Sequence, residues 1–175
     1  RMGRKSRREE LEAMIRKLRE EIPDICLRTT LISGFPGETE KDHEILMEFV
    51  NEMEFDRLGV FPYSQEENTP AAEMPDQVEE EVKLKRQAEI MELQQDIAFD
   101  RAESFAGQTV SAIVEGKVAD EDAYVARTWR DAPNVDGYLF INTRRELMTG
   151  DFVQVRVTGS YEYDLIGELE DEFAK

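Results

Sequence analysis

Two glycines, Gly34 and Gly37, follow an apolar stretch in the segment LRTTLISGFPGETEKD, residues 27–42. Glycine pairs of this kind hold phosphates in some proteins, but a phosphate-binding P-loop needs Lys-Ser/Thr after its last glycine. Here Glu38 and Thr39 stand in those places, and a carboxylate repels phosphate. A dinucleotide fingerprint needs a third glycine at a fixed offset. The residues by themselves therefore favour a tight strand-to-helix turn, shaped by the glycines and by Pro36.

The same geometry can also serve a ligand. Ligands of parallel sheets bind at the carboxyl ends of the strands. Thr30, Ile32 and Gly34 lie at one such end, and the Phe61-Pro62-Tyr63 segment lies at the next. An apolar wall with free main-chain groups suits a purine ring. Arg28, on the first of these strands, is predicted either to pair with a ligand carboxylate or to form an internal salt bridge.

Side chains for metal chemistry are scarce. The only cysteine, Cys26, cannot by itself hold zinc or an iron–sulfur cluster, and we expect it to be a buried structural thiol. The only histidine, His43, lies among acidic residues near the start of a helix and is expected to be solvated. We predict no metal site, and the sequence identifies no catalytic residue.

The elements that position these residues follow from hydrophobic periodicity. Residues 1–63 are predicted to form helix, strand, helix and strand, which implies a parallel sheet whose other strands lie outside this sequence. Thr39 is expected to begin one helix, with Asp42 three residues later. Ser6 with Glu9, and Asp76 with Glu79, are expected to cap two others. The last of these helices is long and should bury a seam made of residues seven apart: Leu84, Met91, Ala98 and Phe105.

After Gly107 the periodicity changes from 3.6 to 2. Five short segments bounded by turn residues predict a five-stranded antiparallel barrel of the OB-like kind. The aromatic residues Tyr124, Trp129 and Tyr138 fall on these strands, and Arg127 and Arg130 flank Trp129. The two arginines form the only cluster in this part that is expected to seat an anion. The predicted fold class is thus α/β followed by β.

Charge limits the classes of partner. The net charge is −18, and residues 107–175 carry seven basic and 14 acidic side chains. Such a balance is a poor footprint for nucleic-acid binding, and it favours a basic protein. No apolar run has the length of a membrane helix and no secretory pattern is present, so we predict a cytoplasmic protein.

Four segments in one order carry a resemblance to a known family: LRTTLISGFPGETEKD, FDRLGVFPYSQEENTPAA, DQVEEEVKLKRQAEIMELQQDIA and RDAPNVDG. The chain resembles the C-terminal part of the RimO-type radical S-adenosylmethionine methylthiotransferases. The resemblance implies a partial radical-enzyme barrel over residues 1–75, a linker helix over 76–106 and a TRAM domain over 107–175. It also implies S-adenosylmethionine and two [4Fe–4S] clusters as cofactors. The implied reaction is methylthiolation of an aspartate β-carbon in a small-subunit ribosomal protein.

The resemblance gives a role to one group of residues. Those implied to contact S-adenosylmethionine are Arg28, Thr30, Ile32, Gly34, Phe61, Pro62 and Tyr63. On the barrel, the residues predicted to bind the substrate are Arg127, Trp129 and Arg130. The family's CxxxCxxC cluster motif is absent from the sequence, so this chain alone is expected to be inactive.

Two other interpretations stay open. The transfer-RNA-modifying MiaB branch shares the Gly-Phe-Pro-Gly-Glu-Thr segment, which allows a fragment of a transfer-RNA methylthiotransferase. The missing cluster cysteines also allow a non-catalytic acidic binding module built on the TRAM domain.

Overall fold

The computed structural model describes residues 2–173 and divides the chain into two compact units, one ending at Ile97 and the other beginning at Ala98. The first unit contains helix α1 (Arg8–Glu21), strand β1 (Arg28–Ser33), helix α2 (Glu40–Met53) and strand β2 (Arg57–Pro62). Helix α3 (Glu80–Glu103) begins in the first unit and ends in the second. No helix among the described residues is long and apolar enough to cross a membrane.

The predicted parallel pairing is present. Strands β1 and β2 run side by side in the same direction, with Arg28 opposite Arg57 and Ser33 opposite Pro62. The apolar side chains of one sheet face, including Leu31 and Val60, pack against Val50 of α2 and Ile90 of α3. No closed barrel is present in residues 2–97, whose sheet has only these two strands.

Helix ends agree with the sequence in one case and differ in two. Thr39 caps α2 as predicted, and its hydroxyl and the Asp42 carboxylate bond to each other's backbone N–H groups. At α1 the cap lies one residue later than predicted, with Glu10 accepting the Arg7 N–H. Asp76 does not cap α3: it has a left-handed backbone (φ 62°), its carbonyl accepts the Gly37 N–H, and the helix begins at Glu80.

The predicted seam of α3 was wrong for its first half. Leu84 and Met91 are 50% and 39% exposed. The buried residues of α3 in the first unit are Lys83, Arg86, Ile90, Gln94 and Ile97. Several of these are polar, so a search for apolar periodicity passes over them.

The second unit is a closed barrel of five strands: β3 (Thr109–Lys117), β4 (Ala123–Arg127), β5 (Leu139–Asn142), β6 (Phe152–Tyr161) and β7 (Asp164–Leu169). Its order around the barrel is β3-β4-β5-β7-β6. The prediction of a fully antiparallel barrel was wrong, because β5 and β7 are parallel neighbours. A β6–β7 hairpin carries β7 back beside β5 in the same direction. A short helix α4 (Glu170–Phe173) follows β7.

The barrel core consists of small and branched side chains that alternate along the strands, such as Val110, Ala112 and Val114 on β3. Tyr124 points inward, and its hydroxyl accepts the Leu147 N–H. Gly167 lets two strands pack closely, since a Cβ there would lie 2.5 Å from Val155 Cγ1 and 2.6 Å from the Arg156 carbonyl oxygen.

The close approach at Gly167 gives a stability test of the barrel. We expect Gly167→Ala to lower the free energy of unfolding by about 2 kcal/mol, because the new methyl group meets backbone that cannot move aside. Gly159→Ala on β6 is the matched control, with no atom within 4 Å of its added Cβ. It should stay within about 1 kcal/mol of the wild type. Urea unfolding of the two variants compares them, and equal losses would contradict the packing described.

The Thr39–Asp42 cap gives a pH-dependent test. Hydrogen bonds from Thr39 lower the pKa of Asp42 below its usual value near 3.8. The charged carboxylate therefore stabilises the fold above that value, and the contribution is lost as the pH falls through the lowered pKa. Asp42→Asn should destabilise at neutral pH and lose its effect in strong acid. Thr39→Ala should cost about 1 kcal/mol, with Thr39→Ser close to wild type in urea unfolding.

Candidate functional site

One face of the two-stranded sheet is left uncovered by the helices. Along β1 the side chains alternate, with Leu31 in the core and Arg28, Thr30 and Ile32 on the other side. On β2, Gly59 lies opposite Thr30, and Phe61 lies opposite Ile32. These five residues form what we call the open face: Arg28, Thr30, Ile32, Gly59 and Phe61. Ile32 and Phe61 are 44% and 61% exposed, which is unusual for side chains of this size.

The centre of the open face is shallow. Gly59 has no side chain, and a Cβ added there would meet nothing within 4 Å. Ile32 and Phe61 lie beside Gly59 on the same face. The shallow surface over Gly59, bordered by these two apolar side chains, can therefore receive a flat ligand. Arg28 lies at the amino end of β1, on the order of 20 Å from Gly34 along the strand. A ligand at the carboxyl end would therefore be remote from the backbone of Arg28.

The carboxyl end of β1 is a tight turn, as predicted. Gly34 and Gly37 both have positive φ, at 74° and 83°. The Gly34 N–H donates to Glu38 Oε2 at 2.9 Å, and Glu38 Oε1 accepts from Arg86 at 2.8 Å. The Glu38 carboxylate thus pairs with Arg86 and fixes the turn. Because it is negatively charged, it would repel a phosphate bound at this turn.

Tyr63 and Pro62 differ from the other predicted contact residues. Tyr63 is 8% exposed, and its ring packs edge-on against Phe35 at 5.3 Å between centroids. The Lys83 ammonium lies 5.4 Å from the Tyr63 ring centroid. Pro62 is half-buried and aligned with Ser33, on the side of the sheet away from Phe61. The structure therefore brings Thr30, Ile32 and Phe61 together and places the Tyr63 ring elsewhere.

A second arginine contact shapes the local electrostatics. Arg86 is 5% exposed and also donates to Glu40 at 3.1 Å. This hydrogen bond lowers the pKa of the Glu40 carboxyl. The buried Arg86 guanidinium thus favours the ionised form of Glu40 at the start of α2.

The expectation of a solvated histidine was wrong. His43 is 4% exposed, and its Nε2 lies 2.8 Å from Glu89 Oε2 of α3. The acidic neighbours in sequence hid the fact that residue 43 faces α3 across the helix pair. Cys26 is half-buried. No group of three or more potential metal ligands occurs within residues 2–173.

A groove runs between α1 and the edge of β1. It has a volume of about 450 Å³ and is lined by apolar side chains of α1, including Leu11 and Met14, and by residues 27–32. Within the described residues, β1 pairs only with β2, so its other edge faces this groove.

The two arginines of the barrel, Arg127 and Arg130, both contact neighbouring side chains. Arg127 Nε donates to Glu115 at 2.8 Å. Arg130 is 8% exposed, with its guanidinium 4.1 Å from the Phe105 ring centroid. Trp129 also packs on Phe105 and is 51% exposed. It is the most exposed of the three predicted substrate contacts.

Comparisons with known proteins bear on both units. Residues 106–169 match the family model described as the TRAM domain. The ribosomal protein uS12 methylthiotransferase RimO of Lachnoclostridium phytofermentans is 59% identical over 170 residues, which is 97% of this chain and 39% of that protein. The protein of the same name from Desulfitobacterium hafniense is 48% identical over 96% of this chain and 38% of its own length. A third, from Geobacter sulfurreducens, is 48% identical over 97% and 38%.

Nearly all of this chain is therefore similar to proteins named RimO, at 48–59% identity. The chain spans about two fifths of the length of these RimO relatives. The match includes the first unit, so the open face and the Gly34 turn lie inside the region shared with RimO proteins.

Two features of the candidate site were not predicted from the sequence. Gly59 was not singled out, although period-2 alternation with Phe61 places it on the open face. The role of Glu38 as an acceptor for Gly34 was also missed. No local signal shows it, because its partner Arg86 is 48 residues away.

The alternation of faces on β2 predicts opposite effects for two neighbours. We expect Phe61→Ser to change the free energy of unfolding by no more than about 0.5 kcal/mol, since its side chain is already in solvent. Val60→Ala, at a site 4% exposed, should cost about 2 kcal/mol. Urea unfolding of both variants measures the difference. Equal effects would mean that Phe61 is covered and that the face is not open.

Proposed function

We propose that this chain is the C-terminal part of a radical S-adenosylmethionine methylthiotransferase that acts on an aspartate of ribosomal protein uS12. The observation that carries the proposal is 59% identity to a protein named for this activity, over 97% of the chain. Because the relatives are much longer, the activity is proposed for the whole enzyme and not for this part.

In this proposal β1 and β2 are strands of a larger radical-enzyme barrel. Two observations support it. The β1 edge next to the groove offers main-chain groups and an apolar wall to a further strand. The open face also has the character of a barrel interior, because apolar side chains are exposed there without a covering element.

The open face fits the adenosine part of S-adenosylmethionine. The space over Gly59 is where a purine would lie, with Ile32 and Phe61 as its apolar contacts and Thr30 as a hydroxyl neighbour. When bound and reductively cleaved at an iron–sulfur cluster, S-adenosylmethionine supplies the radical that abstracts hydrogen. The main-chain groups of Gly34 and Pro62 border the same end of the open face. The Tyr63 side chain packs against Phe35 and is proposed to support this end without touching the adenosine.

The remaining assignments follow from position and composition. Arg28 is proposed to meet a carboxylate at the far end of the face, away from the adenine. The cluster ligands are proposed to come from outside this chain, since Cys26 is its only cysteine. The Cys26 thiol alone does not fit a [4Fe–4S] cluster, which takes several thiolates.

The barrel is proposed to receive the protein substrate. Residues 107–175 carry seven basic against 14 acidic side chains, which suits a basic ribosomal protein and opposes phosphate backbones. Trp129 is the proposed contact, since tryptophan is enriched in protein interfaces. Arg127 and Arg130 lie beside Trp129 in the sequence and are proposed to support this contact. Arg127 donates to Glu115, and Arg130 packs on Phe105.

One experiment separates this proposal from its alternatives. The full-length enzyme, with its clusters reconstituted, is incubated with methyl-labelled S-adenosylmethionine and either uS12 or bulk transfer RNA. We expect label in uS12 and none in transfer RNA. Label in transfer RNA alone would favour the MiaB-like alternative. Label in neither, from an enzyme that still cleaves S-adenosylmethionine, would overturn both substrate assignments.

A further inference from the structure

The first two turns of α3 lie on the carboxyl ends of both parallel strands. The Gln87 side-chain amide donates to the Val60 carbonyl at 2.7 Å. The Lys83 side chain crosses Gly34 so closely that a Cβ on Gly34 would lie 2.3 Å from Lys83 Cγ. Arg86 reaches Glu38 in the turn after β1. Helix α3 therefore contacts β2, Gly34 and the turn after β1 without lying on the open face.

Among these contacts, Arg86 begins a chain of charge-assisted hydrogen bonds. Its Nη1 donates to Glu38 Oε1 at 2.8 Å, and Glu38 Oε2 accepts the Gly34 N–H at 2.9 Å. The Arg86 guanidinium is thus two hydrogen bonds from the backbone amide that ends the β1 wall. Charge-assisted bonds are shorter and stronger than neutral ones, which suits a positioning role.

Because Arg86 is buried and Glu38 is partly buried, this series of hydrogen bonds depends on each of the two side chains. The side chains of Arg86 and Glu38 are 6% and 13% exposed. Removing either charge leaves the other buried with a weaker partner, because buried ions are expensive unless paired. Glu40, the other acceptor of Arg86, is 63% exposed and gives a weaker hold on the guanidinium. Within the turn, the Gly34 amide is thus held by the Arg86–Glu38 pair.

We infer that Arg86 is a positioning residue for S-adenosylmethionine: through Glu38 it holds the Gly34 amide, and with it the carboxyl end of the β1 wall, in the geometry that binds the adenosine. The inference rests on the proposed function. It assigns part of the cofactor site to the helix that follows the parallel strands. Arg86 does not touch the cofactor in this scheme.

The test uses the full-length enzyme with reconstituted clusters and measures binding of S-adenosylmethionine by equilibrium dialysis. We expect Arg86→Gln to weaken binding about tenfold, since small displacements of a binding wall have large effects. Arg86→Lys should restore part of the loss. Hydrogen exchange of the peptide that contains Gly34, followed by mass spectrometry, should rise in Arg86→Gln.

Two controls separate positioning from a general loss of stability. Ile90→Val removes a methylene from a fully buried side chain of the same helix and should leave binding unchanged. Lys85→Gln removes an exposed charge, 66% accessible, one residue from Arg86. If Ile90→Val weakens binding as much as Arg86→Gln at a similar loss of thermal stability, the role of Arg86 is merely structural and the inference is overturned.

A second variant protects the test if Arg86→Gln does not fold. Glu38→Gln keeps an oxygen acceptor for Gly34 but loses the ion pair, and we expect a similar weakening of binding. The double variant should bind no more than about twofold worse than either single one, because both act through one chain. Independent, multiplying effects, or binding within twofold of wild type in both single variants with unchanged exchange at Gly34, would overturn the inference.

Failure of the proposed function gives a different result. If the wild-type enzyme itself does not bind S-adenosylmethionine, the cofactor assignment is wrong. The exchange measurement then still reports whether Arg86 holds the Gly34 turn.

Discussion

A sheet of two parallel strands has too few helices and strands around it to bury both of its faces, and the first unit is organised by this constraint. Helices α2 and α3 cover one face through Val50 and Ile90. The other face keeps Ile32 and Phe61 in solvent. Neighbouring exposed apolar side chains of this kind often mark a surface that binds a ligand or another part of a protein. The uncovered face of the sheet is therefore both a consequence of the fold and the place of the candidate site.

The covered face depends on polar side chains as much as on apolar ones. Lys83, Arg86 and Gln94 are buried in α3 beside Ile90 and Ile97. The polar ends of Arg86 and Gln94 reach groups at the strand ends: Arg86 donates to the Glu38 carboxylate, and Gln94 Nε2 lies 2.8 Å from the Phe55 carbonyl oxygen. Lys83 Nζ pairs with Glu80 of its own helix. Loops at strand ends have main-chain groups that no strand or helix bonds, and these side chains satisfy several of them. The helix thus fixes the turns and the strands together.

Local signals in the sequence predicted much of the fold, and the failures share one cause. The Thr39 cap, the parallel pair and five barrel strands all follow from short-range spacing, and so does the common side of Thr30 and Ile32. The buried state of His43 and the buried stripe of α3 depend on partners more than 40 residues away, such as Glu89 and Glu38. The parallel β5–β7 pair is likewise a property of barrel closure, which strand spacing does not encode. In the candidate site, the shared face of Thr30 and Ile32 could be predicted from alternation along the strand. The position of the Tyr63 ring, which packs against Phe35 and not on the open face, could not.

The burial of Ile90 and Ile97 has a consequence for dissecting the protein. The loop before α3 looks like a natural place to separate a barrel piece from its neighbour. A fragment that ends there would lose Ile90, which is fully buried, together with the cations that close the Gly34 turn. Its parallel strands would then expose apolar surface on both sides and invite aggregation. A self-contained first half has to extend to Ile97, in the middle of a continuous helix, where sequence alone would suggest no cut.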